Sequence, residues 1–230
     1  RLVKIELIDF MGDDLTVVNS ARVSFDKESE WENITPAGPI DHLLTEKDTK
    51  LINYLAKHNH FTPFTHCTIT MRETVPIFVA RQRFKHTIGF SYNEVSRRYV
   101  SDDPEFFYPN VWREKADNAK QGSGTGHIDI NPVGNRPPPM VDEYHHAIKK
   151  CVWTYKYLLG KGVCPEQARM VLPQSMYTSY YVTGSLYAWA RAYNLRSEPH
   201  AQEEIQFVAK YWDTIIKELF PTSWEALTNE

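Results

Sequence analysis

Cysteine is scarce in this chain: three among 230 residues, Cys67, Cys151 and Cys164, with no CxxC spacing. A disulfide framework is thereby excluded, and a reducing cytoplasm is the expected setting. No apolar run approaches the ~18 residues of a membrane-spanning helix, and the first residues, Arg1-Leu2-Val3-Lys4-Ile5-Glu6, are charged. Neither a transmembrane segment nor a signal peptide is expected. An excess of positive charge is missing too: 26 Lys and Arg face 29 Asp and Glu, a formal charge of −3. That balance argues against a surface built to wrap nucleic acid or to lie on an anionic membrane. There is no internal repeat and no GxxxxGK[ST] phosphate loop, and Gly122-Ser123-Gly124-Thr125-Gly126 lacks the strand-to-helix context of a dinucleotide fingerprint. What the chain does have is 42% hydrophobic and 13% aromatic side chains, enough for one sizeable core and a single domain over residues 1–230.

Hydrophobic periodicity places the elements. Val3, Ile5 and Leu7 alternate with charged residues as in a half-buried strand, and Leu15, Val18 and Ala21 then recur at helical spacing. Thr45 and Asp48 have capping-box spacing ahead of Leu51, Ile52 and Leu55, a helix expected to end near His58-Asn59-His60. Cys67, Ile69 and Met71 mark a strand, Pro76 suits the first turn of a helix, and that helix is expected to reach about Thr87 and stop at Gly89. The Gly-, Asn- and Pro-rich stretch around 112–140 reads as a surface insertion. A long amphipathic helix through Tyr144, Ile148, Cys151, Tyr155 and Leu158 should stop at Gly160 and Gly162, and a short one should start at Pro165. Tyr177 to Thr183 is prone to form a strand, and two further helical faces follow, one through Trp189 and one through Trp212. Strands and helices interleave without a βαβ rhythm, so the expected class is α+β, a mixed sheet with packed helices.

Cationic charge is concentrated between Arg81 and Arg98, where five basic residues and one acid give +4 inside a chain of −3. Ser91 and Glu94 have capping-box spacing, which would open a turn whose free N–H groups, beside guanidiniums, suit a phosphate. Arg81 and Lys85, four apart, would share a helix face. A solvated basic helix end is the bland alternative, and a nucleic-acid- or nucleotide-binding protein without catalytic activity is the competing function. His58, His60 and His66 lack a further partner at metal-ligand spacing, so no metal site is assigned. Cys164, just before Pro165, reads as a small buried residue in preference to an activated thiol.

Arg81-Gln82-Arg83-Phe84-Lys85-His86-Thr87 followed by Ser91-Tyr92-Asn93-Glu94-Val95-Ser96-Arg97-Arg98 resembles the signature of the flavin-dependent thymidylate synthases, an Arg-His-Arg ahead of Ser-x-Asn-x-x-Ser-x-Arg. Similar segments of that family are matched by Met11 to Leu15 with Ala21 to Phe25, by His58 to His66, by Ala168 to Pro173 and by Asn194 to Gln202. The resemblance implies a homotetramer with active sites shared between subunits. It implies methylation of dUMP to dTMP, with methylenetetrahydrofolate as carbon donor and FAD as hydride carrier reduced by NADPH. Carried over by position, dUMP would meet Gln82, Lys85, Glu94, Val95, Ser96, Arg97, Arg98, Arg169 and Arg196. FAD would meet His60, Thr62, Lys85, His86, Thr87, Glu94, Ser185, Tyr187 and Arg191, with Ser24 near the flavin and folate.

The implied chemistry suits the residue types. Methylation at C5 of uracil needs electron density there, and a permanent cation at N3 and O2 favours the ionised ring. Arg196 is assigned that role, as an electrostatic stabiliser and not a proton donor. No cysteine falls within a matching motif, in keeping with hydride chemistry carried by a flavin. The chain also departs from the pattern: the register that fits the flanks puts Lys85-His86-Thr87 on the Arg-His-Arg trio, with one residue inserted around Ile88-Gly89-Phe90. Two guanidinium forks are then lost. A second register, Arg81-Gln82-Arg83 on the trio, stays open at this stage.

Overall fold

The computed structural model describes residues 3–32, 43–100, 102–117, 122–128 and 139–229. In chain order the elements are β1 (Lys4–Met11), α1 (Asp14–Arg22), α2 (Glu46–Lys57), β2 (Thr68–Pro76), α3 (Ile77–Arg83), β3 (Phe90–Glu94), β4 (Trp112–Arg113), β5 (His127–Ile128), α4 (Pro139–Gly160), α5 (Pro165–Ala168), β6 (Tyr177–Ser185), α6 (Leu186–Arg196), α7 (Glu203–Leu219) and α8 (Pro221–Thr228). β1, β2, β6 and β3 form one antiparallel sheet in that order, with Glu73 opposite Tyr180 and Tyr92 opposite Val182. This is the α+β architecture expected.

Period-two alternation decides which side of the sheet is covered. Ile69, Met71, Glu73 and Val75 of β2 and Thr178, Tyr180, Val182 and Gly184 of β6 point inward, where Trp189 of α6 and Trp212 of α7 pack on them. The opposite face carries Thr70, Arg72, Thr74, Ser179, Tyr181 and Thr183; across the strands Thr70 bonds Thr183, and Arg72 and Thr74 donate to Ser179 Oγ. One face is core and the other is open and polar. Gly184 is required by close packing, since a Cβ there would lie 2.4 Å from the Phe90 ring.

Three expectations are corrected. The helix after Pro76 ends at Arg83, not near Thr87: Pro76 is its N-cap, and the chain turns at Phe84 to His86 because Tyr92 Oη reaches the carbonyls of Arg83 and His86. Lys85 therefore does not share a helix face with Arg81. Ser91 and Glu94 do not open a capped turn; they lie on strand β3, whose Phe90 and Tyr92 pack inward on aromatic rings. Cys164 is exposed, not buried, and serves as the N-cap residue of α5. Within the expected insertion, β4 and β5 pair as a short hairpin, while residues 118–121 and 129–138 lie outside those described. Among the described residues no helix is long and apolar enough to cross a membrane.

Candidate active site

At the end of the sheet where β3 stops and β6 begins, a cleft of about 760 Å³ is lined by Glu94, Val95, Ser96, Arg97, Arg169 and Arg72, among others. The local backbone explains the grouping. Val95 N–H still pairs with the Ser179 carbonyl at 2.8 Å, and Ser96 then opens a turn, its carbonyl accepting from Tyr99 N–H at 3.0 Å. Ser96 Oγ accepts from the Arg98 backbone and side chain, and Arg98 pairs with Glu166 at 3.2 Å. Glu94 is held by the Thr178 hydroxyl at 2.5 Å. Arg169 arrives from the other side, on the 3-10 turn that follows α5. The cleft is not cationic by itself: Glu94, Asp102, Asp103, Glu105 and Glu166 outnumber Arg72, Arg97 and Arg169 in its lining.

A second polar group forms where α3 and α6 end. Arg196 Nε donates to His86 Nε2 at 2.8 Å, and its Nη2 donates to the Gln82 carbonyl at 3.2 Å. Because Nε2 accepts, the imidazole is neutral and carries its proton on Nδ1. Burial, followed by the charges of Arg196, Arg83 and Arg191, pushes the His86 pKa down to about 4. Burial and Arg83 likewise lower that of Arg196, which stays a cation at neutral pH. Lys85 and Thr87 are exposed on the adjoining turn, whereas Arg83 is wholly buried. Arg83 is out of a ligand's reach, so the register that relies on it is not supported by the geometry.

Phe61 separates two further hollows. One, about 850 Å³, is lined by Asn53, Asn59, Phe61, Tyr187, Arg191 and Asn194; the other, about 620 Å³, by Ser24, Tyr54, His60, Phe61 and Thr62. The Phe61 and Tyr187 rings lie 5.3 Å apart and tilted by 32°. Aromatic walls, side-chain amides and a guanidinium are compatible with the ring system and charged tail of a flavin cofactor. Ser185 lines neither hollow and instead caps α6, accepting from Ala188 N–H at 3.2 Å. None of the three cysteines lines the cleft or either hollow. Burial, with Asp13 and Asp14 behind it, pushes the Cys67 thiol up to about 12. Among the described residues no group of three or more His, Cys, Asp or Glu is placed to hold a metal.

The family described as thymidylate synthase complementing protein matches residues 6–222. A flavin-dependent thymidylate synthase of Thermosipho africanus is 39% identical over 222 residues, which cover 96% of this chain and 89% of the relative. The chain belongs to the flavin-dependent thymidylate synthase family. A member from Kosmotoga olearia is 38% identical, covering 98% of this chain and 90% of its own. Among solved structures, the UMP/dUMP methylase PolB of Streptomyces cacaoi, bound with 5-Br dUMP, superposes with a TM-score of 0.79 at 30% identity, covering 98% of this chain and 94% of PolB.

Within this family member the residues named from sequence fall into distinct groups. Glu94, Val95, Ser96, Arg97 and Arg169 meet in the cleft with Arg98 beside it; Gln82, His86 and Arg196 meet at the ends of α3 and α6. Tyr187 and Arg191 line one Phe61 hollow, and His60, Thr62 and Ser24 the other. Sequence reasoning missed Arg72, which lines the cleft from the open sheet face, and the buried pair Glu73–Arg83. A signal for the pair existed: Glu73 occupies an inward position in the alternation Ile69, Met71, Glu73, Val75, where a carboxylate demands a partner.

Proposed function

We infer that this chain converts dUMP to dTMP by reductive methylation, with methylenetetrahydrofolate as carbon donor and FAD reduced by NADPH. Family membership supports the class of reaction. The observation that carries the reading onto this chain's residues is the tether of Arg196, a half-buried guanidinium held by a neutral His86 and the Gln82 carbonyl. Both tethers are acceptors and neither is anionic, so the positive charge stays available to a ligand. Arg196 is the catalytic residue of this reading: its charge stabilises the ionised uracil ring at N3 and O2 and so raises electron density at C5.

Glu94, Val95, Ser96, Arg97, Arg98 and Arg169 take the nucleotide in the cleft, with Gln82 and Lys85 completing its contacts. The cleft has more carboxylates than guanidiniums and does not include Gln82, Lys85 or Arg196. A doubly charged phosphate needs more cation than one copy offers there, which favours an active site shared between subunits of a homotetramer. His60, Thr62, Tyr187 and Arg191 hold FAD; Lys85, His86, Thr87 and Glu94, which line neither Phe61 hollow, reach it from another subunit, and Ser185 serves it only by capping the helix that carries Tyr187 and Arg191. When bound, that group supplies the hydride, which no side chain of the protein can provide.

The test is optical. The purified protein, or the protein given FAD, should show a flavin spectrum that dUMP perturbs. A protein that binds no FAD at micromolar concentration overturns the reading.

A further inference from the structure

Arg83 and Glu73 are both without solvent exposure, in the middle of the core. The guanidinium carbon lies 4.4 Å from the Phe90 centroid, 4.8 Å from Trp189, 4.7 Å from Trp212 and 5.2 Å from Tyr92. Glu73 accepts from Arg83 Nε at 3.3 to 3.4 Å, from Tyr180 Oη at 2.5 Å and from Trp212 Nε1 at 2.8 Å. Arg83 Nη1 donates to Tyr92 Oη at 2.6 Å, while Nη2 is buried with no hydrogen-bond partner. An ion pair buried this way is weak evidence for stability, since well-packed apolar residues often do as well. Its position offers a different use. Tyr92 has a single hydroxyl proton, and the nearer of its two acceptors is the His86 carbonyl, at 2.7 Å against 3.2 Å for that of Arg83. A continuous path therefore runs from Glu73 through Arg83 and Tyr92 to the backbone of His86, whose ring holds Arg196.

We propose that Arg83 is a positioning residue for Arg196: through Tyr92 it fixes the turn that carries His86, and so sets the direction in which the Arg196 guanidinium points. The inference rests on the reading in which Arg196 faces the uracil ring. The same geometry places a permanent charge near the imidazole. The charged groups that act on His86 are Arg196 and Arg191 from α6 and Arg83 from α3; Tyr92 of β3, whose pKa burial raises to about 12, stays uncharged. Protonation of His86 would destroy the acceptor that Arg196 uses, and burial first, then the charges of Arg196, Arg83 and Arg191, oppose it.

The experiment uses the FAD-loaded enzyme with two variants and one control. Tyr92→Phe cuts the path and leaves every charge in place. It should retain FAD, broaden or lose the Arg196 Nε–H resonance, and weaken dUMP binding roughly tenfold, the scale of one hydrogen bond to a charged group. Glu73→Gln with Arg83→Met removes the ion pair as a unit, so no lone charge is left in the core. It should retain FAD and, like Tyr92→Phe, broaden or lose the Arg196 Nε–H resonance, because Tyr92 Oη no longer accepts from Arg83. Wild-type dUMP affinity in Tyr92→Phe, or an unchanged Arg196 Nε–H resonance in the double variant, overturns the positioning role. The control, Arg196→Ala, separates the two levels: if it binds and turns over dUMP normally, the underlying reading of Arg196 has failed, whatever the variants do.

Discussion

Two arginines two residues apart in the same basic stretch show how little composition says about a single side chain. Arg81 is exposed and Arg83 has no exposure at all, because α3 turns its Val79, Ala80 and Arg83 side into the core. Loss of Arg83 would leave Glu73 charged and unpaired there, so Arg83→Ala should cost about 3–5 kcal/mol of stability, contrary to the mild effect expected of a residue pointing to solvent. Arg196 is the opposite case: partly exposed and tethered only to neutral acceptors, as the proposed role requires. Arg196→Ala should raise the methylation barrier by about 3 kcal/mol or more while FAD remains bound, a split visible by comparing turnover with the flavin absorbance of the same sample. Near-normal turnover would show that the assignment is wrong. The role proposed for Arg196 comes in sequence only from the family likeness, whereas its hold on His86 depends on two helix ends meeting in space.

Helices and long strands were readable where the apolar period was long, as in α4, α7 and β2, and were misread where two short patterns competed. Ser91 to Glu94 satisfies the spacing of a capping box, yet Phe90 and Tyr92 also satisfy a strand period. Packing of those rings against Trp189 and Tyr180 settles the contest in favour of β3. Helix α8 escaped notice for a related reason: Pro221 marks its first turn, but the cap comes from the far end of the chain. Asp14, the first residue of α1, accepts from the backbone N–H groups of Thr222 and Ser223 at 2.8 and 2.9 Å. No local signal can reveal a cap 208 residues away. Asp14→Ala should therefore lower stability by about 1–2 kcal/mol through the loss of that cap, read as a lower urea midpoint with an unchanged slope. A midpoint equal to that of the parent would mean that α8 docks without it.

Across the molecule, one helix keeps a large apolar face exposed and the cleft carries more carboxylates than guanidiniums. Helix α4 has 22 residues, of which only Ile148 and Tyr155 are buried, while Trp153, Tyr157 and nearby Met170 stay exposed. Under the proposed shared-site reading, such exposed aromatic and aliphatic residues are where a second copy would pack. The cleft proposed for the nucleotide, richer in carboxylate than in guanidinium, fits the same reading. If sites are shared between subunits, Arg169→Ala and Arg196→Ala chains, each inactive alone, should regain part of the activity when unfolded together and reassembled. No recovery would mean that each chain completes its own site. The central claim, that this chain methylates C5 of dUMP, is tested most directly by tritium release from C5-labelled dUMP in the presence of methylenetetrahydrofolate, FAD and NADPH. Release that matches dTMP formation and disappears without FAD is the predicted result; no release from a protein that has bound both FAD and dUMP would contradict it.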